Sequence, residues 1–252
     1  MKDFTFLHIS TIDSTNAYLQ RLQDTEEISG QVIAAGEQTA GKGMGSNNWE
    51  SAKGMNLTFS VGIDTSWLPA VNQFMLSELV PLGLLEVLDA HLPSKKLKIK
   101  WPNDLYFDGH KLGGILINST IGGSYLIRSI IGIGLNVNQM QFANWPTRPI
   151  SMKMITGKDY DLEPLLKELV SHIGNLTEET RKQAMSETRI RQAIDNRYYS
   201  RLFRYHEWAE YKVKDQRLRL YMTGIDTFGR LQLIDDAQIP HIYDIKEISY
   251  MI

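Results

Sequence analysis

Residues 97–138 read LKIKWPNDLYFDGHKLGGILINSTIGGSYLIRSIIGIGLNVN and carry most of what decides the fold. Short runs of β-branched, aliphatic and aromatic residues alternate here with turn residues, a pattern typical of consecutive strands. Gly122-Gly123 has the composition of a hairpin turn. The stretch therefore predicts a mainly antiparallel sheet, with strands over 97–100, 105–107, 112–118 and 125–137.

The chain on either side supplies further strands and several helices. Helical spacing is found over 14–24, 69–92, 162–176 and about 187–202. Thr15 and Asn16 are good N-capping types for the first helix, and Pro81 is expected to kink or split the second. Short alternating runs from Glu210 onward predict a small SH3-like β barrel. Additional strands are predicted over 4–9, 31–36 and 55–63.

Composition limits the class of protein. The 252 residues include 27 Lys and Arg against 29 Asp and Glu, so a net charge of -2 gives no general attraction to nucleic acid or an anionic membrane. The sequence lacks cysteine, and its six histidines are scattered, which argues against a disulfide framework or a transition-metal site. With no signal-peptide pattern and no apolar run of membrane-spanning length, we expect a cytoplasmic protein without a membrane partner.

Residues 39–54 form a long stretch of Gly, Ser, Asn and Lys, named here the glycine loop. Gly36, Gly41 and Lys42 match the start of a phosphate-binding loop, but Gly43 stands where a Ser or Thr should bind Mg²⁺. A P-loop nucleoside triphosphatase is therefore rejected. A mobile loop whose amides and lysines close around an anion remains one interpretation, and an ordinary surface loop is the other.

Two further patterns indicate a binding site. In Lys100-Trp101-Pro102-Asn103-Asp104 a cation ends a strand just before a rigid turn, a placement suited to stabilising negative charge in a transition state. A solvent-facing strand lysine is the equally weighted alternative. Glycines inside 111–117 and 131–138 indicate either tight strand packing or a flat slot floored by backbone.

Residues 181–219 contain eleven Lys and Arg against five Asp and Glu. A solvated helix face is the favoured interpretation, ahead of a docking surface for an acidic partner.

Taken in order, these motifs resemble those of biotin protein ligases. The resemblance implies an α+β catalytic fold of the class II synthetase-like type, with a mainly antiparallel sheet and helices on one face, over residues 1–205. A small SH3-like β domain would occupy residues 206–252. The matching segments are Asp13-Ser14-Thr15-Asn16, Gln38-Thr39-Ala40-Gly41-Lys42-Gly43 with Trp49, Lys100 to Asp104, Lys111 to Leu116, and Gly132 to Asn138.

The resemblance also implies a reaction and its residues. Biotin would attack the α-phosphate of MgATP to give biotinyl-5′-AMP, and a lysine of a biotin carboxyl carrier domain would then displace AMP. Lys100 is the implied catalytic residue. The implied biotin-binding residues are Ser14, Thr15, Asn16, Gln38, Gly41, Lys42, Gly113, Gly114 and Ile115. The implied nucleotide-binding residues are Lys42, Gly43, Met44, Trp49, Lys100, Asn103 and Asn136, with no protein metal site.

Other functions stay open on the sequence. A lipoate or octanoate ligase or transferase shares the general fold, and a non-enzymatic RNA- or protein-binding module is an alternative of another class. Only about ten residues precede the Ser-Thr-Asn motif, so we expect no DNA-binding domain. The resemblance leaves a homodimer open.

Overall fold

The computed structural model describes residues 4–45, 47–143, 148–183 and 187–251. A seven-stranded sheet has the order β1-β2-β3-β7-β6-β5-β4. The β1–β2 pair is parallel and every other neighbouring pair is antiparallel. The strands are β1 (Thr5–Ile12), β2 (Gln31–Gln38), β3 (Leu57–Asp64), β4 (Leu97–Lys100), β5 (Asp104–Phe107), β6 (His110–Gly122) and β7 (Tyr125–Leu135).

Helices cover both faces of this sheet. The long ones pack on the face where the main core lies, whereas α1 covers the opposite face with the small cluster of Leu19, Ile28, Ile33 and Ile130. Pro81 does not split α2, which is one helix. None of the described helices is both long and apolar enough to cross a bilayer. The helices are α1 (Thr15–Leu22), α2 (Phe74–His91), α3 (Met152–Thr156), α4 (Leu162–Gln183) and α5 (Glu187–Arg201).

Strand alternation decides which residues face the helices and which face the open side. In β3 and β7 the odd-numbered residues, such as Phe59 and Ile133, enter the main core. The even-numbered residues Ser60, Gly132 and Gly134 face the α1 side, since successive side chains in a strand point to opposite faces. This side of the sheet therefore presents small residues over which a ligand can lie.

A second, five-stranded antiparallel sheet follows α5, in the order β11-β10-β9-β8-β12. It begins at Trp208, close to the predicted domain boundary after residue 205, which itself stays a prediction. Its β8 was not expected from the sequence. The strands are β8 (Trp208–Val213), β9 (Gln216–Ile225), β10 (Leu231–Ile234), β11 (Pro240–Tyr243) and β12 (Ile248–Tyr250).

Three arginines of the basic stretch 181–219 pair with carboxylates of α2. Arg201 forms two hydrogen bonds with the Asp89 carboxylate, at 2.6 and 2.8 Å, and Arg197 pairs with Glu86. Arg191 lies 3.0 Å from Glu78, which is only 1% exposed. The favoured interpretation as a solvated face fits Arg197, whose side chain is 44% exposed, whereas Arg191 and Arg201 are partly buried against acidic residues of α2.

Glu78 gives the fold a testable pH dependence. Burial raises the pKa of this carboxyl to about 8, although Arg191 acts in the opposite direction. Because the folded-state pKa lies above the unfolded value, the stabilisation from proton binding is complete below about pH 4.5 and is lost as the pH rises towards 8. Between pH 5 and 8, the free energy of unfolding of the wild type should fall relative to Glu78→Gln by at least about 1.4 kcal/mol, the equivalent of one pKa unit.

Urea unfolding at pH 5 and pH 8 measures this difference. Glu86→Gln is the matched control, because Glu86 also pairs with an α5 arginine but is 42% exposed at its side chain. Parallel pH profiles for wild type and Glu78→Gln would contradict the prediction.

Candidate functional site

A cavity of about 330 Å³ lies on the α1 side of the first sheet. Its walls come from the start of α1, the glycine loop, the turn after β4, and the last turn and strand of the second sheet. Of the residues that the sequence predicts to bind ligands, all except Gly41, Gly113 and Asn136 line it. The fold thus brings together motifs that are distant in the chain.

One end of the cavity is polar, and hydrogen bonds from the first residues of α1 fix its side chains in place. Ser14 is the N-cap, because its side chain accepts from the backbone N–H of Ala17 at 3.4 Å, so the expectation that Thr15 and Asn16 cap the helix is wrong. Thr15 donates to Gln38 Oε1 through its backbone N–H at 2.8 Å and its hydroxyl at 3.0 Å. Its Oγ1 also lies 2.8 Å from the Ser60 hydroxyl.

Asn16 presents a buried donor at this polar end. Its Oδ1 accepts from the Asn118 amide at 2.7 Å, which fixes the orientation of the side chain. Its Nδ2 is buried and has no hydrogen-bond partner within the described residues. A Cβ added to Gly132 would lie 3.2 Å from this nitrogen. Because unpaired buried donors are costly, Asn16 Nδ2 indicates where a ligand acceptor binds.

The floor beside the polar end consists of backbone and one indole. Gly114 and Gly134 are directly paired across β6 and β7. A Cβ on Gly134 would overlap the Trp49 ring, so the indole packs directly against the backbone of Gly134. The Trp49 Nε1–H is buried without a partner in the described parts of the chain. Glycine at position 134 is therefore required for the close approach of the indole, whereas a Cβ at position 114 would make only ordinary van der Waals contacts.

The other end of the cavity is cationic. Lys111 Nζ lies 2.7 Å from Asp104 Oδ1, and Lys100 Nζ lies 4.0 Å from Asp104 Oδ2. Lys100 also stands over the rings of Tyr106 and Tyr250, at 4.9 and 5.1 Å from their centroids. Since Asp104 is held by Lys111 at the shorter distance, Lys100 remains available to an incoming anion.

Burial has an electrostatic effect on Lys100. Its side chain is 16% exposed, and desolvation lowers the pKa of its ammonium. Lys111 and Arg204 act in the same direction, whereas Asp104 raises the pKa. A cation that lacks water around it interacts strongly with a bound anion, which suits a site where negative charge develops.

The turn that carries Lys100 is anchored on both sides. The Trp101 indole N–H donates to the Gly229 carbonyl of the second sheet at 2.9 Å. The Asn103 side chain donates to the Ile115 carbonyl, and the Ile115 N–H donates to the Asn103 carbonyl at 2.9 Å. Asn103 borders the cavity, but its amide is occupied by β6. These bonds hold the end of β4 in place.

Three of the predicted ligand-binding residues lie outside the cavity, where they make hydrogen bonds or packing contacts within the protein. Gly41 accepts from the Trp49 N–H at 3.0 Å, which closes the glycine loop. Gly113 faces the opposite side of the sheet, where an added Cβ would lie 2.8 Å from the Gly134 carbonyl oxygen. The Asn136 amide donates to the carbonyls of Lys111 and Ile150, at 3.4 and 3.2 Å.

The structure adds cavity residues that the sequence did not indicate. Ser60 joins the polar end through Thr15, and the last turn and strand of the second sheet contribute Ile245, Lys246, Ile248, Ser249 and Tyr250. No local motif marks these C-terminal residues. Lys53 is one of the glycine-loop lysines that the first interpretation placed around an anion, but it lies 3.3 Å from Glu37 and is not part of the cavity wall.

The mixed sheet thus has a glycine floor that joins a buried polar end to a cationic end, an arrangement suited to a small acid beside a phosphate. Residues 8–136 match the biotin/lipoate A/B protein ligase family. The chain is 30% identical over 230 residues to the biotin–[acetyl-CoA-carboxylase] ligase of Paracoccus denitrificans, covering 89% of this chain and 92% of that protein. This protein therefore belongs to the biotin/lipoate A/B protein ligase family.

Other relatives agree with this assignment. The chain is 30% identical over 240 residues to the bifunctional ligase/repressor BirA of Salmonella typhimurium, covering 92% of this chain and 70% of that protein. Alignments with two Arabidopsis thaliana biotin–protein ligases span 34% and 31% of those proteins. The biotin protein ligase from Aquifex aeolicus in complex with biotin and ATP superposes with a TM-score of 0.74 at 23% identity, covering 99% and 98% of the two chains, which shows the shared fold.

Proposed function

We propose that this protein catalyses the ATP-dependent biotinylation of a lysine on a biotin carboxyl carrier domain, through biotinyl-5′-AMP. The observation that carries the proposal is the single cavity with a buried unpaired amide at one end and Lys100 at the other. Gly132 lies beside Asn16, and Gly134, two residues or about 7 Å further along β7, lies under Trp49. A bicyclic urea with a carboxylate tail fits such a cavity, with its tail towards the cation.

Biotin recognition follows from the polar end. The ureido carbonyl of biotin accepts from Asn16 Nδ2, which replaces the partner that this buried donor otherwise lacks. The ureido N–H groups donate to the hydroxyl and amide oxygens around Thr15, where Gln38 and Ser60 fix the hydrogen-bond directions. The Gly114 and Ile115 backbone lies beside the ring.

The first step forms a mixed anhydride. A carboxylate oxygen of biotin attacks the α-phosphorus of MgATP, a C–O–P linkage forms, and the bond to the β-phosphate breaks to release pyrophosphate. Lys100 offsets the negative charge on the carboxylate and α-phosphate oxygens during attack, and Lys42 acts from the glycine loop. Mg²⁺ enters with ATP as substrate; Asp104 is the one carboxylate among the described residues of the cavity wall, and Lys111 holds it.

The second step needs an approach for the carrier domain. Beyond Gly114, β6 pairs only with β7 in the described part of the chain, so Ile117 to Ile121 present an unpaired strand edge beside the cavity. A carrier strand added at this edge places its lysine amine near the anhydride. The amine nitrogen attacks the biotinyl carbonyl carbon, the C–O bond to AMP breaks, and the amine loses a proton.

The same free edge also suits a second copy of the chain, so the homodimer stays a prediction. A cytoplasmic location, where ATP and reduced proteins coexist, accords with the proposed reaction.

Exchange of radioactive pyrophosphate into ATP tests the proposal directly. We expect exchange that depends on biotin, and transfer of biotin to a carrier domain when one is supplied. Exchange driven by lipoate or octanoate would assign the protein to the other branch of its family. Absence of exchange with all three acids would favour a binding module.

A further inference from the structure

The turn between β11 and β12 reaches the cavity from the second sheet. The backbone N–H of Asp244 donates to Glu247 Oε2 at 2.8 Å, and the Glu247 N–H donates to the Asp244 carbonyl at 3.1 Å. Lys246, inside this turn, has a φ of +79°, in the left-handed region. These bonds close the turn and set the direction in which the Lys246 side chain leaves it.

Lys246 lies against the glycine loop. A Cβ added to Gly45 would be 2.8 Å from Lys246 Cε and 2.9 Å from its Nζ, so the lysine fills the space that a side chain at position 45 would need. Lys246 lines the cavity together with Lys42 and Met44 of the loop. Its ammonium therefore stands on the loop side of the cavity, where Met44 brings no charge.

The Lys246 ammonium has no carboxylate partner among the described residues. The neighbouring Glu247 is engaged by the backbone N–H of Asp244, and Asp104 is engaged by Lys111. An unpaired ammonium at the mouth of a cavity that already holds Lys42 and Lys100 is suited to a ligand with several negative charges.

We propose that Lys246 binds the phosphate chain of MgATP, so that the second sheet completes the nucleotide site. The inference rests on the proposed function. Lys100 lies at the buried end of the cavity and Lys246 lies at the glycine loop, so the two lysines contact different parts of the substrate. Lys100 acts at the reacting carboxylate and α-phosphate oxygens, and Lys246 binds the β- and γ-phosphates that leave as pyrophosphate. Loss of Lys246 should therefore weaken nucleotide binding more than it slows the chemical step.

The test compares Lys246→Ala with Lys214→Ala. Lys214 is a matched control, since it has a φ of +53° in the β8–β9 turn of the same sheet and is not part of the cavity wall. Calorimetry with Mg²⁺ and a non-hydrolysable ATP analogue should show about tenfold weaker binding for Lys246→Ala, the effect expected for one charge-assisted contact. Lys246→Arg should keep most of the affinity, and the difference should shrink at high salt because this contact is exposed.

The readouts separate this inference from the proposed function. Equal affinity of Lys246→Ala and Lys214→Ala for the analogue would overturn the role of Lys246, whatever the exchange activity. In the exchange assay, the KM for ATP should rise about tenfold in Lys246→Ala, while kcat and the KM for biotin stay within about twofold. A wild type that binds the analogue but shows no biotin-dependent exchange would overturn the proposed function, and the calorimetric comparison would still decide the role of Lys246.

Discussion

Lys100→Ala is expected to lower the rate of biotin adenylation by about 10²- to 10³-fold, the usual loss for one group that stabilises transition-state charge. The physical reason is the position of its ammonium, which is largely desolvated over Tyr106 and Tyr250 and only loosely paired with Asp104, at 4.0 Å. Pre-steady-state formation of biotinyl-5′-AMP measures the chemical step, and thermal unfolding checks that the variant folds.

Lys98→Ala is the matched control for this prediction. Lys98 lies two residues earlier in β4, and its ammonium donates to the Ser200 carbonyl at 3.2 Å, outside the cavity. We expect near-normal adenylation from this variant. Normal adenylation by Lys100→Ala would remove Lys100 from the mechanism, and equal losses in both variants would indicate damage to β4 instead.

Local sequence patterns predict the strands of the first sheet well, because each strand is marked by its own run of β-branched, aliphatic or aromatic residues between turn residues. The end of β4 at Lys100 was expected and is present, and the hairpin expected at Gly122-Gly123 is present with Gly123 and Ser124 as its loop. Helix α3 was not expected, because five residues from Met152 to Thr156 are too few to show helical periodicity. Its Ser151 cap is a detail that only the folded chain makes visible.

It is harder to predict which side of the sheet a given strand residue faces than to predict that the strand exists. Gly113 and Gly114 are adjacent, so one must face the core and the other the cavity. Register decides between them: Gly114 pairs with Gly134 under Trp49, whereas Gly113 packs near Leu105 on the core side. The sequence shows two equivalent glycines, and the pairing partner that distinguishes them is about twenty residues away.

Contacts between the two sheets lie beyond local patterns altogether. Tyr250 stands beside Lys100, and Lys246 lies against Gly45, although each pair is separated by at least 150 residues. Nothing near the Lys-Trp-Pro-Asn-Asp motif indicates that a C-terminal strand will cover it. The Trp101 bond to Gly229 shows how the placement arises, since it ties the motif directly to the second sheet.

Gly132→Val is expected to weaken biotin binding by at least about a hundredfold while leaving the fold intact. A Cβ at this position would already lie 3.2 Å from Asn16 Nδ2 and 3.3 Å from Ser60 Oγ, so a valine would crowd the polar end of the cavity. Each added methyl group that a packed site cannot accommodate costs roughly 1–3 kcal/mol. Valine is favourable in a strand, so β7 itself should tolerate it. The measurement is biotin affinity by calorimetry in the absence of ATP, together with thermal unfolding.

A graded series makes this prediction specific to the cavity. Gly132→Ala adds one carbon and should weaken biotin binding about tenfold, between the wild type and Gly132→Val. Ile131→Val is the control on the same strand, because Ile131 faces the main core and is outside the cavity wall. It should lower stability by about 0.5–1.5 kcal/mol and leave biotin affinity unchanged. If Gly132→Val instead binds biotin as the wild type does, the ligand cannot lie over Gly132 beside Asn16, and the assignment of the polar end to the ureido ring would have to be abandoned.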